Sequence, residues 1–324
     1  MLQKEQIQNP YCFSDSLLAR LSEIPQHTLT VVEAPSGFGK TTAIREYLAS
    51  FHGYTDIRWY TCFGESPQKV WTGICALFDD QCGTIGEELR ELGIPALDTL
   101  PDIAAVLSRC AFSRPAFLVI DNYQLFDIPV RRKCMAAFST CPDRNLHVIF
   151  ITQPIREEEG YHPQSCHTIT SRDFFFDNSC IVRYCRQTGI RISRAAVEQI
   201  QSASHGWVAA IRLHLKNYAE TGSSVDSSDI NALVENAIWN RLSPSDRDFM
   251  LAVSLLDGFT LRQAAAMGGG IAPPDDMAGL LSPDFFIRYV ADKKAYSIHS
   301  ILRGYLLRRF ELCPRAMAES LYRR

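Results

Sequence analysis

No apolar run in this 324-residue chain approaches the ~18 positions of a membrane-spanning helix, and the opening Met1-Leu2-Gln3-Lys4-Glu5-Gln6 lacks the hydrophobic stretch of a secretory signal. The expected compartment is therefore the cytoplasm, and no membrane partner is expected. The 11 cysteines form no C-x-x-C pair, and the chain is too long to need disulfide staples, so they read as reduced thiols. The tightest mixed cluster is His162, Cys166 and His167, with Cys180 and Cys185 downstream. Its spacing fits no zinc module and it falls in an expected loop, so no metal site is read there. Charge lacks bias as well: 33 Lys+Arg against 36 Asp+Glu leave a net charge of −3, and nothing global announces nucleic acid. What the chain does have is core-forming material, with 46% hydrophobic residues over a length that suits two or three domains.

Its most informative run is Ala34-Pro35-Ser36-Gly37-Phe38-Gly39-Lys40-Thr41-Thr42, which matches the phosphate-binding pattern G-x-x-x-x-G-K-[ST] in all but the first letter. That chemistry needs glycines so that successive N–H groups curl around a phosphate, a lysine to reach the β/γ oxygens, and a hydroxyl for Mg²⁺. Gly37, Gly39, Lys40 and Thr41 supply these parts. Ala34 is tolerable if its φ is negative. Residues 29–32, Leu-Thr-Val-Val, read as a buried strand, while Ile44, Tyr47, Leu48 and Phe51 follow a helical i, i+3, i+4, i+7 spacing. The resulting strand, loop and helix would aim free N–H groups at a polyphosphate from Pro35 through Thr42. A second apolar run, Phe117-Leu118-Val119-Ile120, ends in Asp121, which is either a turn aspartate or a Walker B acid holding Mg²⁺ through water. The loop ~80 residues upstream favours the metal role. The catalytic candidates are then Lys40 and Asp121, and the Mg²⁺ candidates Thr41 and Asp121.

Alternating strands (29–32, 57–60, 116–120, 146–151) and helices predict an α/β fold: a P-loop NTPase with a parallel sheet over residues 1–170. The segment with Glu87, Glu88 and Glu91 reads as an acidic loop. After residue 170 strand signals fade, and a small helical domain is expected over 171–222, broken at His205-Gly206-Trp207. The Ser-rich run near 221–228 reads as a linker. A winged-helix domain follows over 229–312, with a Leu233, Ala237, Ile238, Leu242 stripe, a helix started by Pro244 and Asp246, and a loop from Gly268 through Pro274. A hairpin-like pair over 286–289 and 295–298 leads to a last helix whose stripe is Ile298, Leu302, Tyr305, Leu306 and Phe310. Residues 313–324 read as the start of another helix. His299 taken alone reads as a solvated or capping histidine. From Phe285 onward nine Lys/Arg face three acids, a distribution that fits a solvated helix face or an interface better than a phosphate-backbone site.

Together the phosphate loop, Leu118-Val119-Ile120-Asp121, Gly206-Trp207-Val208-Ala209-Ala210 and Tyr296-Ser297-Ile298-His299 resemble the large ATP-binding LuxR-type transcriptional regulators. Trp59 and the segment from Ser66 to Trp71 extend the resemblance. Those proteins belong to the STAND class of signal-transduction ATPases, in which a P-loop domain, a helical domain and a winged-helix domain close around a nucleotide. The resemblance implies ATP/ADP and Mg²⁺ as cofactors, Lys40 and Thr41 on phosphate and metal, Asp121 as the Walker B acid and Gly206-Trp207 at the helical-domain turn. It also makes His299 a ligand sensing the β-phosphate in a closed, ADP-bound form. Relatives continue into a sensor array that takes an inducer and a DNA-binding helix-turn-helix, and they self-associate when active. Neither segment is in this sequence, which is expected to be the switch portion of a longer regulator.

Three departures qualify that expectation. Asn122 stands where relatives place a second acid and cannot act as a base, so at most slow hydrolysis is expected. Gln153 stands where an arginine is usual, and no arginine precedes Leu17-Leu18. The alternatives are a turnover P-loop ATPase or kinase, and a nucleic-acid binder acting through the winged helix and the basic C-terminal face.

Overall fold

The computed structural model describes residues 11–35, 37–51, 55–79, 83–126, 128–153, 166–221, 230–267 and 287–313. They form two compact units. One comprises Asp15–Pro35 and Gly39–Asp173; the other comprises the described residues of 1–14, 36–38 and those from Phe174 onward.

In the first unit, β1 (Leu29–Glu33), β2 (Asp56–Thr61), β3 (Ala116–Asp121), β4 (Leu146–Thr152) and β5 (His167–Thr170) build one parallel sheet in the order β2-β3-β4-β1-β5. Every residue of β3 and β4 is buried, the signature of parallel strands covered on both faces. Four of these strands lie where apolar runs predict them. β5 was not expected: His167-Thr168-Ile169-Thr170 holds one aliphatic residue, and an edge strand needs only one face buried. His167 thus lies in a strand, not a loop, paired in register with Thr30 of β1.

Helix α1 (Asp15–Ser22) precedes β1, helices α2 (Lys40–Ala49), α3 (Pro67–Cys75), α4 (Ile85–Leu92), α5 (Leu100–Leu107) and α6 (Ile128–Ser139) lie between successive strands, and the single turn α7 (Ser171–Phe174) follows β5. The acidic segment expected as a loop is α4. Ile85 and Leu89, one turn apart, are buried, and the Trp71 indole N–H donates to the Leu89 carbonyl at 3.0 Å. Two apolar residues are enough once a neighbouring helix offers a wall. Trp71, Phe78, Phe138, Phe150 and Tyr123 fill the core beside them.

The second unit has two apolar cores. One gathers Cys12, Phe176, Ile181, Val197, Ile200, Ile211 and Leu215 from α8 (Asn178–Thr188), α9 (Arg194–Ser204) and α10 (Val208–Thr221). Cys180 and Cys185 are buried there rather than grouped with His167. The other gathers Leu213, Leu233, Ile238, Phe249 and Phe259 from α10, α11 (Ile230–Ala237), α12 (Pro244–Ser254), α13 (Leu261–Met267) and their connections. The antiparallel hairpin β6 (Ile287–Val290) and β7 (Ala295–Ile298) and the helix α14 (Ser300–Glu311) complete it. The stripe Ile298, Leu302, Tyr305, Leu306 and Phe310 is buried as its spacing predicts. Helix α10 serves both cores, Ile211 and Leu215 facing one and Ala210 and Leu213 the other. His162, the linker at 222–228, the Gly268–Pro274 loop and the helix expected from Pro314 lie outside the described residues.

Candidate functional site

The phosphate loop follows β1 directly. Ala34 is fully buried, its N–H donates to the Thr152 carbonyl of β4 at 3.4 Å, and it is absent from the positive-φ residues, so alanine fits where the motif has glycine. Gly37 (φ 82°) and Gly39 (φ 79°) take the left-handed conformation that lets a main chain curl with its amides inward. Gly39 caps α2, where its carbonyl accepts from the Ala43 N–H at 2.8 Å.

Lys40 opens α2 and folds its ammonium back on the loop, donating to the carbonyls of Ala34 at 2.6 Å and Pro35 at 3.0 Å. Thr41 lies within hydrogen-bond reach of both carboxylate oxygens of Asp121, at 3.1 and 3.0 Å. Asp121 ends β3 fully buried, and the Asn122 N–H donates to its Oδ1 at 2.9 Å. The first unit therefore brings Lys40, Thr41 and Asp121 to one place. Thr42 follows on α2 half-buried, Pro35 is exposed, and Ser36 lies outside the described residues.

Asn122 has φ 56°, a left-handed position that asparagine tolerates better than longer side chains, and its amide donates to the Cys62 carbonyl at 3.4 Å. The carboxamide is thus a link between the ends of β3 and β2. Gln153 follows β4, where its carbonyl accepts from the Thr152 hydroxyl at 3.1 Å.

The loop tip is packed within the second unit. The Ala209 N–H, in the first turn of α10, donates to the Gly37 carbonyl at 3.1 Å, which satisfies one of the helix's unpaired N-terminal amides. The Phe38 ring lies 6.2 Å from the Trp207 indole at 28°, and 5.5 Å from Phe175 edge-on at 69°. A Cβ at Gly37 would come within 2.6 Å of Ile301 Cδ1, 2.7 Å of Ala209 Cβ and 2.9 Å of Trp207 Nε1. Gly206 (φ 79°) shapes the turn before Trp207; its carbonyl accepts from the Phe176 N–H at 2.9 Å. The sequence pointed to Gly206-Trp207 but gave no signal for Phe175 or Ile301, whose roles arise from packing alone.

His299 is the N-cap of α14, its Nδ1 accepting from the Ile301 N–H at 3.3 Å. The capping role read from its position is therefore present. On the basic C-terminal face, Arg303 pairs with Asp257 at 2.8 Å, Arg308 with Asn231, and Arg309 with Glu235. Those arginines are spent on their own unit, which argues against the nucleic-acid alternative at this helix.

Two family models match the chain, an AAA domain over residues 25–159 and a MalT winged helix domain over residues 234–320. Fold and loop thus define the class: a P-loop protein whose AAA-type domain precedes a winged helix. Within that class its sequence is similar to MalT regulators. It is 24% identical over 270 residues to the HTH-type transcriptional regulator MalT of Cronobacter sakazakii, covering 75% of this chain and 29% of that protein. It is 26% identical over 271 residues to MalT of Yersinia enterocolitica, with coverages of 75% and 29%. The chain therefore spans less than a third of the length of these relatives. Among solved structures, a STAND protein with a tetratricopeptide repeat sensor from Pyrococcus horikoshii superposes with a TM-score of 0.66 at 15% identity, over 98% of this chain and 46% of that one, a likeness of fold.

Proposed function

We propose that this chain is the nucleotide-dependent switch module of a MalT-like transcription regulator, closed with ADP and opened by ATP together with an inducer. The observation that carries the proposal is the grouping of Lys40, Thr41 and Asp121 at the phosphate loop. The residues fit a magnesium nucleotide. Lys40 holds an ammonium on loop carbonyls, acceptors that phosphate oxygens replace. A hydroxyl and a carboxylate are hard oxygen donors of the kind Mg²⁺ takes. The first amides of α2 and the positive end of its dipole favour an anion. Mg²⁺, when bound, neutralises charge on the β- and γ-phosphate oxygens.

Asn122 offers no proton acceptor, so the proposed role is to hold nucleotide, with slow hydrolysis at most. Within the second unit, Gly37 and Phe38 contact Ala209 and Trp207. His299 is proposed as the residue that reports the β-phosphate of ADP. Inducer recognition and DNA reading belong, in this proposal, to segments of the longer regulator. A ligand moves such an equilibrium only by binding one arrangement better.

Calorimetry with ADP and ATP in Mg²⁺ tests the nucleotide role, alongside identification of any nucleotide released on denaturation. Lys40→Ala is expected to weaken binding by roughly ten- to a hundredfold, the value of a charge-assisted hydrogen bond or two. No adenylate affinity in the wild type, with Lys40→Ala indistinguishable from it, overturns the proposal. His299→Ala is expected to release ADP faster in exchange measurements; unchanged release removes His299 from the mechanism.

A further inference from the structure

The phosphate loop follows the C-terminal end of β1. Roughly 17 Å away, the length of five strand residues, the other end of β1 carries a separate group of side chains. Glu23 and His27 flank the 3-10 turn Ile24–Gln26 that leads into β1, and His167 opens the neighbouring edge strand β5. One ligand atom from each lies within 4.8 Å of the other two.

We infer that Glu23, His27 and His167 form a Zn²⁺ site that ties β5 to the turn entering β1. It goes beyond the nucleotide reading and does not depend on it. Three features of the geometry carry it.

The first is the tautomer of His167. Its Nε2 lies 2.9 Å from the Arg20 carbonyl, and a carbonyl only accepts, so Nε2 bears the proton and Nδ1 carries the lone pair. A backbone carbonyl on the far nitrogen is the usual support for a metal-ligating histidine. The second is what Nδ1 faces. Glu23 Oε2, on a partly exposed side chain, lies 3.6 Å from it, an acceptor opposite an acceptor, and the His167 side chain that holds Nδ1 is only 2% exposed. A cation between the two resolves the mismatch. The third is the ring pair. His27 and His167 have centroids 4.9 Å apart and planes 9° apart. Two imidazoles ligating one tetrahedral Zn²⁺ through a nitrogen each place their centroids roughly 5 Å apart.

Neighbouring groups set the strength of the site. Arg20 donates to Glu23 Oε2 at 2.8 Å and to the Thr168 carbonyl at 2.6 Å, so it orients the carboxylate and also opposes the incoming charge. His147 Nδ1 lies 2.9 Å from the His27 carbonyl and fixes that main chain. Two imidazoles and one carboxylate suit a borderline cation such as Zn²⁺ better than Mg²⁺ or Ca²⁺. Three protein ligands leave a fourth position for water.

The test uses the full chain, stripped of metal and free of nucleotide, with Co²⁺ as the visible reporter and Zn²⁺ as competitor. One equivalent of Co²⁺ should bind with d–d bands, be displaced by Zn²⁺ and not by excess Mg²⁺, and Zn²⁺ should raise the thermal unfolding midpoint. His27→Ala and Glu23→Gln, both at partly exposed positions, should each weaken Co²⁺ binding at least ~10-fold, while Cys166→Ser leaves it intact. Absence of binding at about 100 μM metal, a hundredfold above the micromolar range, overturns the site. Affinity unchanged in both His27→Ala and Glu23→Gln likewise overturns it, because the ion is then held elsewhere. Because nucleotide is absent throughout, neither result bears on Lys40 or Asp121.

Discussion

Gly37 and Gly39 share a left-handed φ but differ in surroundings. At Gly39 a Cβ would meet nothing within 4 Å, so Gly39→Ala costs only the backbone strain of about 1–2 kcal/mol. At Gly37 the same strain is joined by three contacts under 3.0 Å, one of them to Ala209 Cβ, which has no flexible end to yield. Overpacking of that kind adds about 1–3 kcal/mol. Gly37→Ala should therefore lower the thermal unfolding midpoint more than Gly39→Ala, whose main effect should be on nucleotide affinity. Equal midpoints would show that the loop tip is not held by Trp207, Ala209 and Ile301. The motif letters made both glycines legible in the sequence, but nothing in those letters separates their surroundings.

At the scale of elements, α10 is the informative helix because it lines both cores of its unit. Its His214 is fully buried, and neither ring nitrogen has a hydrogen-bond partner among the described residues. Burial holds its pKa below the ordinary 6.5, so the ring is neutral in the folded state at pH 7. Between 6.5 and the lower folded value the unfolded chain binds the extra proton, and stability falls as pH falls. The slope approaches about 1.4 kcal/mol per pH unit in that window. His214→Leu should flatten the loss between pH 7 and 5.5 relative to wild type in chemical denaturation. Parallel curves would mean that His214 is already charged or solvated.

Legibility also varies by element. The start of α12 was readable from Pro244 and Asp246, and the structure adds the full capping box of Ser243 and Asp246. Strands β1, β3 and β4 announced themselves because both faces are buried and the residues run apolar. Helix α4 and strand β5 did not, since each buries only one or two aliphatic side chains and depends on a partner distant in sequence. For the same reason no sequence pattern groups the three proposed zinc ligands. Glu23 and His27 lie 140 or more positions from His167, and only the parallel pairing of β1 with β5 brings them together.

Over the whole molecule the ten described cysteines are all free thiols, and eight are buried; Cys166 and Cys313 are partly exposed. Burial pushes the thiols of Cys75 to about 12 and Cys185 to about 11, so neither offers thiolate at neutral pH. Among these ten, a thiol reagent should modify Cys166 and Cys313 in the native protein and the remainder only on unfolding. Rapid native modification of Cys75 would contradict the packing of the first unit, and of Cys185 that of the second. The edges of the sheet carry a further consequence. Among the described residues β2 and β5 bound it, one bearing the Asp56–Arg58 ion pair at 3.0 Å and the other only four residues long. Charge on one flank and brevity on the other deny a foreign strand the long, flat hydrogen-bonding ledge that recruitment and fibre growth require.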